Sequence, residues 1–249
     1  MSEPLSHSFG YEDVSTPERR HRIRTVFDKV ARRYDLMNDL MSFGVHRLWK
    51  RKLVRLARRY RGDEIVDLAG GTGDIARLLV EDRSCRVKLI DASEKMMLAG
   101  RKNTDRSIDW ICAEGEKLPF ANDSLDLVTI SFGLRNMTAP DQALREVVRC
   151  LKPGGGFVCL EFSRPKTWFA PFYDLYSFVV IPRLGAMIAG EPSAYQYLIE
   201  SIRRFPTQKD LENLMKQAGF ADIGYRNQMF GVACLHWGQK EAGREERQS

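Results

Sequence analysis

The chain has 249 residues, 43% hydrophobic and 29% charged, ordinary globular proportions that exclude a collagen-like or low-complexity protein and leave apolar material for one large core. A net charge of +6 points to an acidic partner (a nucleic acid, an anionic membrane surface, an anionic substrate) or simply to a solvated basic surface. Five dispersed cysteines form no C-x-x-C pair, which argues against a zinc site or a disulfide framework and for an intracellular protein, and we expect neither a leader segment nor a membrane-spanning helix.

In chain order, Thr16-Pro17-Glu18 opens a helix, with Thr16 as cap and proline at the first helical position. Ile23, Val26, Phe27 and Val30 recur at helical spacing, and the opposite face is largely arginine. A second helix spans Val45 to Tyr60, with Trp49, Leu53 and Leu56 on one side. The pattern then alternates. Strands are expected at Glu64 to Leu68, Val87 to Ile90, Asp109 to Cys112, Leu125 to Ile130 and Phe157 to Phe162. Helices intervene at Ile75 to Val80, at Ser93 to Arg101 with Ser93 as cap, and through Ala143, Leu144, Val147, Val148 and Leu151 until Lys152-Pro153-Gly154-Gly155-Gly156 stops the last one. The segment from Ser163 to Pro206 is too long for a plain connection and reads as an aromatic functional cap. Thr207 with Asp210 caps a final helix that ends at Gly219, and Ile223 to Gln228 with Gly231 to Trp237 form a closing strand pair. Alternating strands and helices imply a mainly parallel sheet covered on both faces, with ligands at the carboxyl ends of the strands.

The chemistry-bearing residues fall at those ends. Asp67-Leu68-Ala69-Gly70-Gly71-Thr72-Gly73-Asp74 joins the first strand to a helix, and its glycines allow a tight turn and close approach to a ligand. Taken alone, Gly71-x-Gly73-x-x-Ala76 would also pass as a dinucleotide fingerprint. Asp67, however, would repel a pyrophosphate and favour a sulfonium and an α-amino group. Asp91 can accept the two hydroxyls of a ribose, or be a solvated loop acid, and Glu114-Gly115 is placed to meet an adenine edge. With Asp126 opening the fourth strand and Lys152-Pro153-Gly154-Gly155 preceding the fifth, this ordered set resembles the motifs of class I S-adenosylmethionine-dependent methyltransferases.

Three more stretches narrow the resemblance: Tyr34 to Asn38 with Ser42 to Trp49; Ile130-Ser131-Phe132-Gly133-Leu134-Arg135-Asn136; and the cap residues Tyr173, Tyr176, Tyr195, Tyr197 and Glu200. From about Phe9 to Trp237 the chain resembles the UbiE family of ubiquinone/menaquinone biosynthesis C-methyltransferases, departing at Glu114-Gly115, where the family commonly carries Asn-Ala. The resemblance implies a Rossmann-like α/β fold with a seven-stranded, mainly parallel sheet, N-terminal helices and a helical cap after the fifth strand. It also implies S-adenosyl-L-methionine as cofactor and methylation of a ring carbon on 2-polyprenyl-6-methoxy-benzoquinol, demethylmenaquinol or both. Cofactor contacts are expected at Asp67, Gly70, Gly71, Thr72, Gly73, Asp91, Glu114, Gly115 and Ser131, and a substrate pocket at Phe132, Tyr173, Tyr176, Tyr195 and Tyr197.

Ring methylation needs an electron-rich quinol, so positioning and phenolate stabilisation are the main tasks. Arg135 is expected at the mouth as a fixed cation, or else paired with a local carboxylate; Asn136 would bond the second ring oxygen and Tyr34 would close the site. His46 is either a base or a structural residue, and no metal is called for. The chain is expected to divide into an N-terminal helical extension (1–62) contributing to the substrate site, a methyltransferase core (63–239) with its cap at about 163–206, and a polar tail (240–249). A cytoplasmic protein follows, or one peripheral at the inner membrane, with a polyprenylated quinol, an anionic bilayer, other quinone-synthesis enzymes or a second copy as partners. The rival readings are an RNA methyltransferase, for which neither an Asn/Asp-Pro-Pro-aromatic motif nor a Pro-Cys or Thr-Cys pair is present, and a non-catalytic cofactor-binding subunit of a quinone-synthesis assembly.

Overall fold

The computed structural model describes residues 8–31, 36, 38, 39, 42–102, 106–180, 183 and 192–242, without the side chains of 30 and 192–195. Two short strands, β1 (Ser8–Phe9) and β2 (Glu12–Asp13), pair antiparallel ahead of α1 (Thr16–Val30). Its cap is Ser15 rather than Thr16: the Ser15 hydroxyl accepts the Glu18 N–H at 3.4 Å, and Pro17 lies in the first turn, where it has no helical donor to lose. The arginine face of α1 is ion-paired rather than simply solvated. Arg22 binds Glu12 at 2.6 Å and Glu18 at 2.5 Å, while Arg20 and Arg24 reach Glu114 at 3.6 and 4.0 Å. Helix α2 (His46–Ala57) buries Trp49, Leu53, Val54 and Ala57, and the same stripe carries two polar residues inward, His46 and Lys50.

The strands and helices that follow are β3 (Ile65–Leu68), α3 (Asp74–Arg83), β4 (Val87–Asp91), α4 (Glu94–Gly100), β5 (Ile108–Cys112), β6 (Leu125–Ser131), α5 (Pro140–Cys150) and β7 (Leu151–Phe162). The cap contains α6 (Ala170–Leu175), a π-helical turn (Tyr176–Val180) and α7 (Pro192–Arg204). Helix α8 (Gln208–Ala218), with the expected Thr207–Asp210 capping box and Gly219 at φ 103°, leads to β8 (Phe220–Gln228) and β9 (Ala233–Lys240). Seven strands form one sheet in the order β5-β4-β3-β6-β7-β9-β8; all neighbours are parallel except β7–β9 and β9–β8.

Alternation along the strands divides the core. Ile65 and Leu127 face a layer with Trp49, Leu53 and Leu79, whereas Val66 and Val128 face one with Leu144 and Met215. The glycine-rich stop after α5 lies inside a strand: pairing jumps from Leu125↔Leu151 to Leu127↔Gly156, so Lys152 to Gly155 bulge outward from β7. Strand order reverses between β3 and β6, which opens a crevice above their carboxyl ends.

Candidate active site

At that crevice the backbone leaves β3 in an uncommon conformation. Ala69 (φ 52°) and Gly71 (φ 55°) are left-handed, and just past the end of β6 Phe132 (φ 57°) is too. The two strand ends meet closely, since a Cβ on Gly133 would stand 2.5 Å from the Ala69 Cβ. Asp67, one residue before the end of β3, points to the α3 side of the sheet. Its Oδ1 accepts the Thr129 hydroxyl at 2.9 Å and its Oδ2 the Ala76 N–H at 3.1 Å. Burial outweighs those bonds and pushes its carboxyl up to about 7. A small cavity beside it is lined by Lys50, Asp67, Gly70, Thr72, Asp74 and Ser131. The Ser131 hydroxyl is buried there with no hydrogen-bond partner, which is unusual for a polar atom removed from water.

Ala69 and Gly71 also border a larger cleft of about 790 Å³, its open mouth included. Asp91, Ser93, Glu114 and Gly115 form one side, and Phe132, Gly133 and Asn136 the other. Asp91 accepts the Gly71 and Ser93 N–H groups, both at 2.8 Å, and burial raises its carboxyl to about 6. Carboxylate oxygens have lone pairs to spare after two such bonds, so hydroxyl donors can still bind. Arg20, Ile23, Arg24 and Phe27 of α1 line the same cleft. Of the nine expected cofactor residues only Gly73 lines neither space; it turns at φ 86° with its Cα against the Trp110 ring.

The turn after β6 overturns the first reading of Arg135 and realises the second, pairing with a local carboxylate. Arg135 is not a free cation at the mouth. It is buried, forms a close ion pair with Glu161 of β7, donates to the Phe132 carbonyl at 2.8 Å and lines neither space. A carboxylate buried as deeply as Glu161 demands such a partner. Asn136 does face the cleft: its Nδ2 donates to the Phe132 carbonyl at 3.1 Å, and its Oδ1 accepts the Tyr197 hydroxyl at 3.2 Å. Burial pushes the Tyr197 hydroxyl up to about 12, so it remains a donor. His46 is buried with Nε2 2.8 Å from Asp39 Oδ1 and lines neither space; desolvation and the Lys50 charge lower its pKa.

Of the expected substrate pocket, Phe132 lines the cleft, and Tyr197 reaches it through Asn136. Tyr173 lies buried beneath the Arg203 guanidinium, and Tyr176 stacks on Phe43 with centroids 3.8 Å apart. Tyr34 and the Tyr195 side chain lie outside the described residues. Sequence reasoning missed Arg19, Lys50 and Glu161. Arg19 is a buried latch: it donates to the carbonyls of Ser8 (2.7 Å), Met137 (2.5 Å) and Arg135 (3.2 Å), tying α1 to the turn beneath the cleft. One arginine among many gives no sign of this, whereas Lys50 on the apolar stripe of α2 does.

Known proteins resemble the chain in sequence and in fold. The chain is 55% identical over 240 residues to the ubiquinone/menaquinone biosynthesis C-methyltransferase UbiE of Rubrivivax gelatinosus, covering 96% of this chain and 95% of that protein. It is 43% identical to the mitochondrial 2-methoxy-6-polyprenyl-1,4-benzoquinol methylase of Caenorhabditis elegans, over 96% and 87% of the two chains. Solved structures share the fold at low identity. A SAM-dependent methyltransferase of Thermotoga maritima matches with a TM-score of 0.62 at 17% identity over 88% of this chain and all (100%) of that one. Phosphoethanolamine N-methyltransferase 2 of Haemonchus contortus, solved with S-adenosyl-L-methionine, matches with 0.58 at 15% over 76% and 52%. The model of the ubiE/COQ5 methyltransferase family matches residues 15–240, and the chain belongs to that family.

Proposed function

We propose that this protein catalyses S-adenosyl-L-methionine-dependent C-methylation of a polyprenylated quinol ring in ubiquinone biosynthesis, menaquinone biosynthesis or both, a reading supported by relatives named as a ubiquinone/menaquinone biosynthesis C-methyltransferase and a 2-methoxy-6-polyprenyl-1,4-benzoquinol methylase. The observation that carries the reading is the pairing of two spaces at Ala69–Gly71, a small one holding buried Asp67 and the unpartnered Ser131 hydroxyl and a larger one holding Asp91. An amino acid joined through a short linker to a ribosyl-adenine needs that sequence of partners. Asp67 would hold the α-ammonium, Ser131 and Thr72 the neighbouring polar atoms, Asp91 the ribose hydroxyls, and Glu114-Gly115 the adenine edge. The glycine turn supplies the close approach. When bound, the cofactor supplies an electrophilic methyl group on a cationic sulfur.

The chain's own task is to orient a reduced ring and hold its charge. Asn136 keeps a second Nδ2–H beyond the one given to Phe132, and we assign that donor to a ring oxygen. Tyr197 fixes the Asn136 amide, and Arg135 with Glu161 fixes the turn that carries it. Arg135 is therefore a positioning residue here, and His46, committed to Asp39, holds the start of α2. We also propose that the extension 1–62 contributes to the substrate site of the 63–239 core; Arg20, Ile23, Arg24 and Phe27 of α1 line the cleft, and α1, α2 and the sheet share one apolar core. Trp168, Phe172, Leu175 and Phe178 are exposed on the cap, and no helix among the described residues is long and apolar enough to cross a membrane. We read that apolar face as a peripheral contact with an anionic bilayer that delivers the isoprenoid tail.

The test is direct. Purified protein, the cofactor and a short-tailed demethylated benzoquinol kept reduced should give a ring-methylated product by mass spectrometry, and the oxidised quinone should give none. An untouched reduced ring, with the cofactor bound, would reject the catalytic reading in favour of a non-catalytic cofactor-binding subunit.

A further inference from the structure

The short hairpin ahead of α1 packs against the residue that orients the Asn136 amide. Phe9 of β1 stacks on Tyr197 of α7, with ring centroids 4.4 Å apart and planes 16° from parallel, and the Tyr197 hydroxyl donates to Asn136 Oδ1 at 3.2 Å. The Arg22 guanidinium lies over the Phe9 ring, 5.5 Å from its centroid. The hairpin is held from both sides. Arg19 donates to the Ser8 carbonyl at 2.7 Å, and Glu200 of α7 accepts the Tyr11 N–H at 3.1 Å. Between them Gly10 turns at φ 58°, where a Cβ would run into the Glu200 carboxylate, so this close seat on α7 requires glycine. Neither Phe9 nor Tyr197 lines the cleft, yet both stand behind a side chain that does.

We infer that Phe9 is a positioning residue for ring methylation: its stack on Tyr197 holds the hydroxyl that keeps the Asn136 amide turned with its spare N–H toward the cleft. The inference rests on the reading above, in which that N–H meets a ring oxygen, and extends it to a residue outside the site. An asparagine amide presents either a donor or an acceptor to a ligand, depending on a half-turn about its last torsion. A quinol oxygen gathering negative charge needs the donor. Two groups enforce that orientation: the Tyr197 hydroxyl donates to Oδ1, and the Phe132 carbonyl accepts from Nδ2. The hydroxyl sits at the far end of a rigid ring, so a small tilt of the ring spoils its hydrogen-bond geometry. Phe9 fills one face of that ring and resists the tilt. The Phe132 carbonyl still favours the same orientation when the hydroxyl is displaced, which limits the loss to that of one hydrogen bond.

The test is turnover of a short-tailed reduced benzoquinol, with S-adenosylhomocysteine affinity measured beside it. Phe9→Ala should lower kcat about 3- to 10-fold, the range for one neutral hydrogen bond, and leave both the quinol KM and S-adenosylhomocysteine affinity within about twofold. Phe9→Tyr keeps the ring face and should restore the rate. In a Tyr197→Phe background there is no hydroxyl to place, so Phe9→Ala should cost less than about twofold more in kcat. An unchanged kcat in Phe9→Ala, a loss that Phe9→Tyr does not restore, or losses that multiply in the double variant would overturn the assignment and leave the hairpin a mere cover. If Phe9→Ala does not fold, Gly10→Ala displaces the hairpin without altering either ring. It should give the same loss with the same suppression by Tyr197→Phe, and a loss that multiplies with that of Tyr197→Phe would overturn the proposal equally. Methylation by the unaltered protein keeps these outcomes specific to Phe9; no methylation by it would overturn the catalytic reading itself, and this inference with it.

Discussion

Asp67 offers the sharpest pH-dependent consequence of the site. With its carboxyl raised to about 7 by burial, the free protein holds it about half protonated at neutral pH. An α-ammonium placed beside it favours the ionised form, so binding must drive the proton off. Between pH 8 and pH 6 the ionised fraction of the free protein falls from about nine-tenths to about one-tenth, and affinity should fall about tenfold with it. If the ligand restores an ordinary carboxyl near 3.8, the whole coupling is about 4 kcal/mol, an upper limit. The assay is calorimetric titration of S-adenosylhomocysteine at pH 6, 7 and 8, in buffers of different ionisation enthalpy, which counts the proton released. Asp67→Asn should flatten the profile apart from a smaller fall near pH 6, where Asp91 begins to protonate. Stability runs in the opposite sense. A carboxyl raised by folding destabilises the free protein above its folded value, and that penalty vanishes as pH falls toward the unfolded one. The stability advantage of Asp67→Asn over the unaltered protein should therefore shrink from pH 8 to pH 5. A flat affinity between pH 6 and 8, with no proton released, would refute the placement of the ammonium.

Three other expectations follow from the fold. Arg135→Met strands the Glu161 charge in the core and should cost about 3–5 kcal/mol in urea unfolding, while Arg135→Met with Glu161→Met should recover most of it; a single-variant loss below about 1 kcal/mol would contradict the buried pair. Thr207→Ala removes the α8 capping box, and its loss should be about 1 kcal/mol in the same assay, with S-adenosylhomocysteine affinity unchanged. Vesicles containing anionic lipid should sediment the protein at low salt. Phe172→Ser with Leu175→Ser should release it, because those side chains are 68% and 64% exposed on the cap; equal sedimentation of the variant would exclude this face.

The sheet was legible because its strands are short apolar runs closed by turn residues, and alternation with helices leaves little choice of topology. Ser93 and Thr207 were readable as caps because a side-chain oxygen followed three residues later by a free N–H is a local arrangement. The Thr16 assignment missed by one residue because serine and threonine stand side by side and only backbone angles separate them. The lining of the two spaces was legible for the same local reason: Gly71, Asp91, Glu114 and Ser131 each end or follow a strand, and Asp67 stands one residue before the end of one. Arg135 was not. Whether a cation faces solvent or a carboxylate depends on Glu161, 26 residues away on the next strand, and strand register decides it. Arg19 is hidden likewise, since its acceptors are backbone carbonyls more than a hundred residues downstream as well as nearby Ser8.

The measurement that bears most directly on the central claim is mass spectrometry of the quinone pools in a bacterial strain lacking its own quinone C-methyltransferase and expressing this chain. Ring-methylated ubiquinone, menaquinone or both should appear, and Asp91→Ala should abolish them. Unmethylated precursors persisting beside abundant, folded protein that still binds S-adenosylhomocysteine would contradict the account.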